Sequence, residues 1–392
     1  MHVLKNKMEV LPSSLHQHID AIAHAQDGTL AIASSSLTDR RWNGCLWTFK
    51  DSTKAPDPEY SNGRTYTESG ITDVQWLDST KMVIALDDGS VEIWSQSGSL
   101  PGLENLASLT EHDDVVNTIA VDCAKRRIIS GSCDKSIKLW DLNSEQCIKT
   151  YKGHSGSVLD IDCSRTEQDL FISSSEDGSV VLWDTRKARP AKRLTDPTNY
   201  DSIPYCIDWS PLDSSIFASG FQDGSVHVYS IKDTTNIIFS YTPHERTVNR
   251  VAFSPRSPEW LASVSDDNIV YVQNVINNMA VLRSDTHSDF VRGLSWSPLD
   301  DSLLTSGWDK AVVTHMCGLS PSSDLAVEFS KSQNTSVISV ESEPQMQPQV
   351  NGDIKDATDD ETMDVADSEH SNITNGFKAH ELKIEDMKQE SS

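Results

Sequence analysis

The sequence predicts an all-β fold, a seven-bladed β-propeller with a disordered acidic C-terminal tail. Three observations carry that prediction. A turn residue recurs at Asn43, Asp88, Asp134, Asp177, Asp223, Asp267 and Asp309, at intervals of 45, 46, 43, 46, 44 and 42 residues. Spacing of this length is that of a four-stranded unit repeated around a ring. The segments that follow the third and fourth turns, SIKLW (136–140) and SVVLW (179–183), alternate with the period of two that marks strands. Composition then shifts near residue 317. Residues 317–392 hold 16 Asp/Glu against 5 Lys/Arg, a net of −11, with Phe329 and Phe377 as their aromatics. Such a segment buries too little apolar surface to offset its chain entropy. The propeller is therefore assigned to 1–330 and the tail to 331–392.

The first unit, SLTDRRWNGCLW (36–47), carries Asn43-Gly44, a strong hairpin signal that puts a tight turn at that dipeptide. Trp42, Arg40 and Arg41 precede it. Trp and Arg are the side chains most enriched at interface hot spots, and a Trp at a hairpin tip is poorly placed to reach a core. The third and fourth units show a full pattern, His112 through Trp140 and His154 through Trp183. In the other five, the Trp position holds Phe49, Trp94, Tyr229, Gln273 and His315, while His244 and His287 keep the His. Weak units survive beside strong ones because each blade packs on its neighbours. In the seventh unit Phe290 occupies a place held by Val115, Ser157 and Thr247 elsewhere, at the rim of one face, which makes it a second candidate anchor. The strand that closes the seventh blade is expected from residues near Val3–Leu11, or from Leu325–Phe329.

These units resemble WD40 repeats. The resemblance implies buried hydrogen-bond relays formed by His112, Ser132, Asp134 and Trp140, and by His154, Ser175, Asp177 and Trp183. Recurrence argues that such His–Asp pairs are structural, since a catalytic pair needs one privileged site. No phosphate-binding glycine loop, Rossmann glycine pattern or H-E-x-x-H motif occurs. His16, His18 and His24 suit alternate strand positions better than a metal site, and the carboxylates of 353–367 lack the spacing of a calcium loop. No enzymatic activity, metal or cofactor is expected.

The net charge is −26, of which −15 falls before residue 317. Neutralising phosphate requires basic patches, and none is evident, so direct nucleic-acid binding is not expected. Acidic surfaces favour basic protein partners. Seven Cys without C-x-x-C fit a reducing compartment, with Cys123, Cys163 and Cys206 read as small core residues. Neither a spanning apolar run nor a signal-peptide core occurs, so an intracellular, soluble protein without a membrane partner is expected.

The stretches 34–59 and 287–310, with 111–122 and 171–186, resemble the WD-repeat subunit family of the methylosome (methylosome protein 50). R-x-W-x-G-x-L-W-x-F-K-D in the first of them is foreign to generic WD40 units. The resemblance implies a non-catalytic partner of protein arginine methyltransferase 5 in a hetero-octamer, in the cytoplasm and nucleus. S-adenosylmethionine would belong to that enzyme, and the substrates presented for symmetric dimethylation would be Arg-rich proteins such as histones and Sm proteins. Trp42, with Arg40 beside it, falls on the family's inserted-loop Trp, and Phe290 on a further contact. Two rivals stand beside this reading. Trp183-Asp184-Thr185-Arg186 is similar to the motif by which WD40 receptors bind the cullin-4 ligase adaptor, through Asp184 and Arg186. The acidity would also suit an independent histone-binding chromatin adaptor.

Overall fold

The computed structural model describes residues 18–38, 41–96, 102–195, 202–211, 213–233 and 237–317. All lie in the first of two compact units, which spans Met1–Val327. The expected tail and both candidate closing strands lie outside the described residues.

Seven antiparallel sheets follow one another along the chain, six with four strands and the seventh with three described strands. Each is a meander in which every strand pairs with the next. We number them as blades 1 to 7. Blade 1 comprises His18–His24, Leu30–Thr38, Arg41–Phe49 and Gly63–Thr67. Blade 7 comprises Val291–Trp296, Ser302–Gly307 and Val312–Met316. The fold is therefore the seven-bladed propeller that the repeat predicts.

Burial follows position in the blade. Middle strands are covered on both sides by neighbouring blades, so Ile216–Phe221 and Ser302–Gly307 are buried throughout. Outer strands alternate, as in Gln146–Lys152, where Ile148 is exposed and Tyr151 is buried. Trp47, Trp140, Trp183 and Trp209 fill the spaces between sheets, where an aromatic contributes more apolar contact area than any aliphatic side chain.

Inner strands line the axis. All seven carry a bulge after their first or second residue; in blade 3 the extra residue is Asn117, since Val116 pairs with Ser132 and Thr118 with Gly131. A bulge re-aims the side chain that follows it. The residues at that level are Asp73, Thr118, Asp160, Cys206 and Arg250 in blades 2 to 6, with Ala21 and Gly293 beside them. Of these, Ala21, Asp73, Asp160, Arg250 and Gly293 line a cavity of about 120 Å³ in the channel along the axis.

Two sequence expectations change here. Asn43-Gly44 is not a tight turn: Asn43 pairs with Ser36 and Gly44 with Ser35, and the ladder continues to Thr38 and Arg41. Glycine is needed at 44 because a Cβ there would lie 2.7 Å from Ile71 and 2.8 Å from the Ser69 carbonyl. It permits close approach between blades rather than a reversal. Cys163 and Cys206 are buried as expected, whereas Cys123 is exposed, because it follows its strand in a turn.

Candidate partner-docking face

In a four-stranded meander, the turn between the second and third strands emerges at the same end as the connection into the first. Every turn Asp and every relay His therefore lies on one face of the ring. The relays pin these two sets of loops together. In blade 3, His112 Nδ1 lies 2.7 Å from Asp134, and its Nε2 lies 2.8 Å from Ser130 Oγ. The Trp140 indole N–H donates to the same Ser130 oxygen at 2.8 Å. Blade 4 repeats this with His154, Asp177, Ser173 and Trp183.

The relay hydroxyls are thus Ser130 and Ser173, not Ser132 and Ser175. Two residues separate each pair, so both point to one side of the strand, but only the earlier one lies deep enough to meet the indole. Ser132 and Ser175 sit at the turn, where each accepts the N–H of the following Asp, at 3.0 and 3.2 Å. Blade 6 keeps His244, Asp267 and Ser263, and blade 7 keeps His287, Asp309 and Thr305. In blade 7, His315 replaces the Trp and meets Thr305 at 2.9 Å. Burial lowers its pKa to about 4, so this imidazole is neutral at pH 7. Burial opposes ionisation of Asp134, but bonds from Ser136 and His112 outweigh it and hold the carboxyl down at about 2.

Phe290 lies on this face in the connection entering blade 7, half-buried. Its ring centroid is 5.5 Å from that of Trp308, in the neighbouring turn of the same blade. The Arg292 guanidinium lies over both rings, 5.8 Å from Phe290 and 5.1 Å from Trp308. Trp308 crosses to blade 1, where its indole N–H donates to Asp20 at 3.0 Å and its ring packs against His18. Asp20 also accepts the Ser35 hydroxyl, in the strand that runs into the first-blade hairpin. Burial raises the Asp20 pKa despite these bonds.

The hairpin therefore stands on the same face as Phe290, on the adjacent blade. Trp42 pairs with Leu37 along its ladder and Arg41 with Thr38. The side chains of Trp42 and Arg41, and all of Arg40, lie outside the described residues. Further round the face, in blades 3, 4 and 6, Glu111, Asp113, Asp114, Glu176 and Glu245 are exposed.

Other predicted positions are placed elsewhere. Arg186 is exposed on the connection after the third strand of blade 4, at the opposite end of the blade. Its guanidinium chelates Asp184 through two bonds of 2.8 Å. It opens a basic run that the charge reading passed over, Arg186, Lys187, Arg189, Lys192 and Arg193. Four of these are engaged within the fold. Arg186 and Lys187 face Asp184, while Lys192 and Arg193 donate to the carbonyls of Ile231 and Gly153. His24 bonds Ser295 and His18 packs on Trp308, so the two serve the junction of blades 1 and 7.

The inner-strand carboxylates were also missed. Asp73, Asp160, Asp162 and Asp208 accept the backbone N–H groups of Ile119, Ile207, Trp209 and Phe253, each on the next blade, at 2.8–3.0 Å. Their signal was an Asp within an apolar inner strand, as in ITDVQW, VLDIDC and PYCIDW.

The family model for the WD domain, G-beta repeat, matches residues 103–141, 145–184, 191–230, 235–274 and 279–325. Each match begins at or near an outer strand, so the sequence unit is offset by one strand from the structural blade. The chain is 37% identical over 305 residues to Methylosome protein WDR77 of Xenopus laevis, across 78% of this chain and 91% of that protein. It is 28% identical over 252 residues to GATOR2 complex protein WDR24 of Homo sapiens, across 62% of this chain but only 32% of that protein's length. A chain in the Crystal Structure of Mitotic Checkpoint Complex shares the fold, with a TM-score of 0.63 at 17% identity, over 79% of this chain and 90% of that one. The chain is a non-catalytic WD-repeat scaffold and belongs to the family of the methylosome protein WDR77.

Proposed function

We propose that this protein is the adaptor subunit of an arginine methyltransferase assembly. It docks on protein arginine methyltransferase 5 through the first-blade hairpin and the Phe290 loop. It then presents Arg-rich proteins, such as histone tails and Sm proteins, for symmetric dimethylation. The observation that carries this reading is the adjacency of the two anchor loops on one face, joined through Trp308, Asp20 and Ser35. A Trp from the hairpin seated in a dehydrated pocket would supply the hot spot. The exposed carboxylates further round the ring would raise the local concentration of basic substrate. Catalysis would then rise because the substrate is positioned, which lowers the entropic part of the barrier. The same reading gives the assembly four copies of each subunit and a place in both cytoplasm and nucleus.

Size exclusion with light scattering on the co-expressed pair tests it. A stable assembly of hundreds of kilodaltons, disrupted by Trp42→Ala, is the expected result. Two separate peaks for the wild-type pair would refute it.

A further inference from the structure

The geometry around Phe290 points to a role for a residue that makes no claim on a partner by itself. We propose that Trp308 is a positioning residue of the docking face: it braces the Phe290 ring in one pose and ties that brace to blade 1. The inference rests on the docking reading above and adds to it the device that holds the second anchor ready.

Phe290 sits in a connection rather than a strand, so the pairing of the sheet does not orient its ring. Three contacts do. Trp308 packs against it at 5.5 Å with the planes tilted by 47°. Arg292 lies over both rings and is itself bonded to Asp266 of blade 6 at 3.2 Å. Trp308 in turn is fastened to Asp20 of blade 1. The anchor is thus backed by groups rooted in both neighbouring blades. A side chain held in its bound pose forfeits little entropy on association, and that is where affinity is gained without any new contact. The surface fits an apolar pocket on the partner. It suits one bordered by carboxylates, because the Arg292 guanidinium lies over both rings.

Binding kinetics between the full chain and protein arginine methyltransferase 5 separate bracing from direct contact. If Trp308 acts by holding Phe290, Trp308→Ala reduces the fraction of molecules in the competent pose. The apparent affinity falls by that fraction, chiefly through slower association. We expect Trp308→Ala to weaken binding on the order of tenfold in this way, and Phe290→Ala to weaken it about 30-fold, near the hot-spot threshold. The double variant should be no weaker than Phe290→Ala alone. Trp308→Phe keeps a ring against Phe290 but loses the bond to Asp20, and should fall between wild type and Trp308→Ala. It carries the test if the alanine variant misfolds.

Additive effects of the two alanine substitutions would overturn the proposal, as would an effect of Trp308→Ala confined to faster dissociation. Wild-type binding by Trp42→Ala and Phe290→Ala alike would instead reject the docking reading on which it stands.

Discussion

Arg250 of blade 6 reaches across the channel to Asp73 of blade 2, 177 residues earlier in the chain, with 3.0 Å between guanidinium and carboxylate. Its other nitrogen lies 3.2 Å from Asp160 of blade 4. One side chain thereby couples three alternate blades at a single level of the axis. Burial pushes the Asp160 carboxyl up to about 6, and burial raises Asp73 as well, while the guanidinium pulls both back.

Removing that cation leaves two buried carboxylates facing each other. Arg250→Met should therefore destabilise the propeller by about 3–5 kcal/mol, the usual cost of breaking a buried pair by deleting one partner. Urea denaturation at pH 7 measures it. A loss below about 1 kcal/mol would mean that water in the channel already screens the carboxylates.

The channel also sets a pH dependence. Asp160 and Asp208 have folded-state pKa values above those of an unfolded Asp, Asp208 through burial and the neighbouring Asp162. The Asp160 contribution is full below the unfolded value near 3.8 and is lost as pH rises through about 6, and Asp208 acts in the same direction. Stability should thus increase as pH falls from 7 toward 5. Asp134 and Asp177, with depressed values, act in the opposite sense only below about 4. Asp208→Asn keeps an acceptor for the Phe253 N–H, and should stabilise the fold at pH 7 by roughly 1 kcal/mol while flattening the slope. Denaturation midpoints at pH 5 and 7, for both proteins, decide this.

The relay assignment makes a sharp comparison. Ser130→Ala strips a partner from both His112 and Trp140 in a buried site, and should cost on the order of 2–3 kcal/mol. Ser132→Ala removes the bonds to the Asp134 N–H and the Asp114 carbonyl but leaves the imidazole and indole paired, and should cost about 1 kcal/mol. Thermal melting of the two variants would show the reverse order if Ser132 were the relay hydroxyl.

Gly44→Ala tests why a glycine stands in that ladder. Its added methyl meets Ile71 and the Ser69 carbonyl, and overpacking of this kind costs about 1–3 kcal/mol. A melting temperature equal to wild type would show that the blade 1 and blade 2 contact can open without loss.

The ring, its seven units and the His–Asp pairs were legible in the residues because each blade is encoded locally. Forty-odd contiguous residues contain a whole sheet, its turn and its relay, so periodicity exposes them. Phe290 was legible too, as a large aromatic where equivalent positions hold smaller side chains. The depth of the relay serine, the length of the first-blade ladder and the role of Gly44 were not. Those depend on which of two similar positions meets a neighbouring sheet, and a period of two cannot tell residue 130 from residue 132. Least visible were the contacts between blades, Arg250 with Asp73 and Asp160, and Trp308 with Asp20 across 288 residues. No local pattern links such residues. They become neighbours only when the ring closes and brings the last blade against the first.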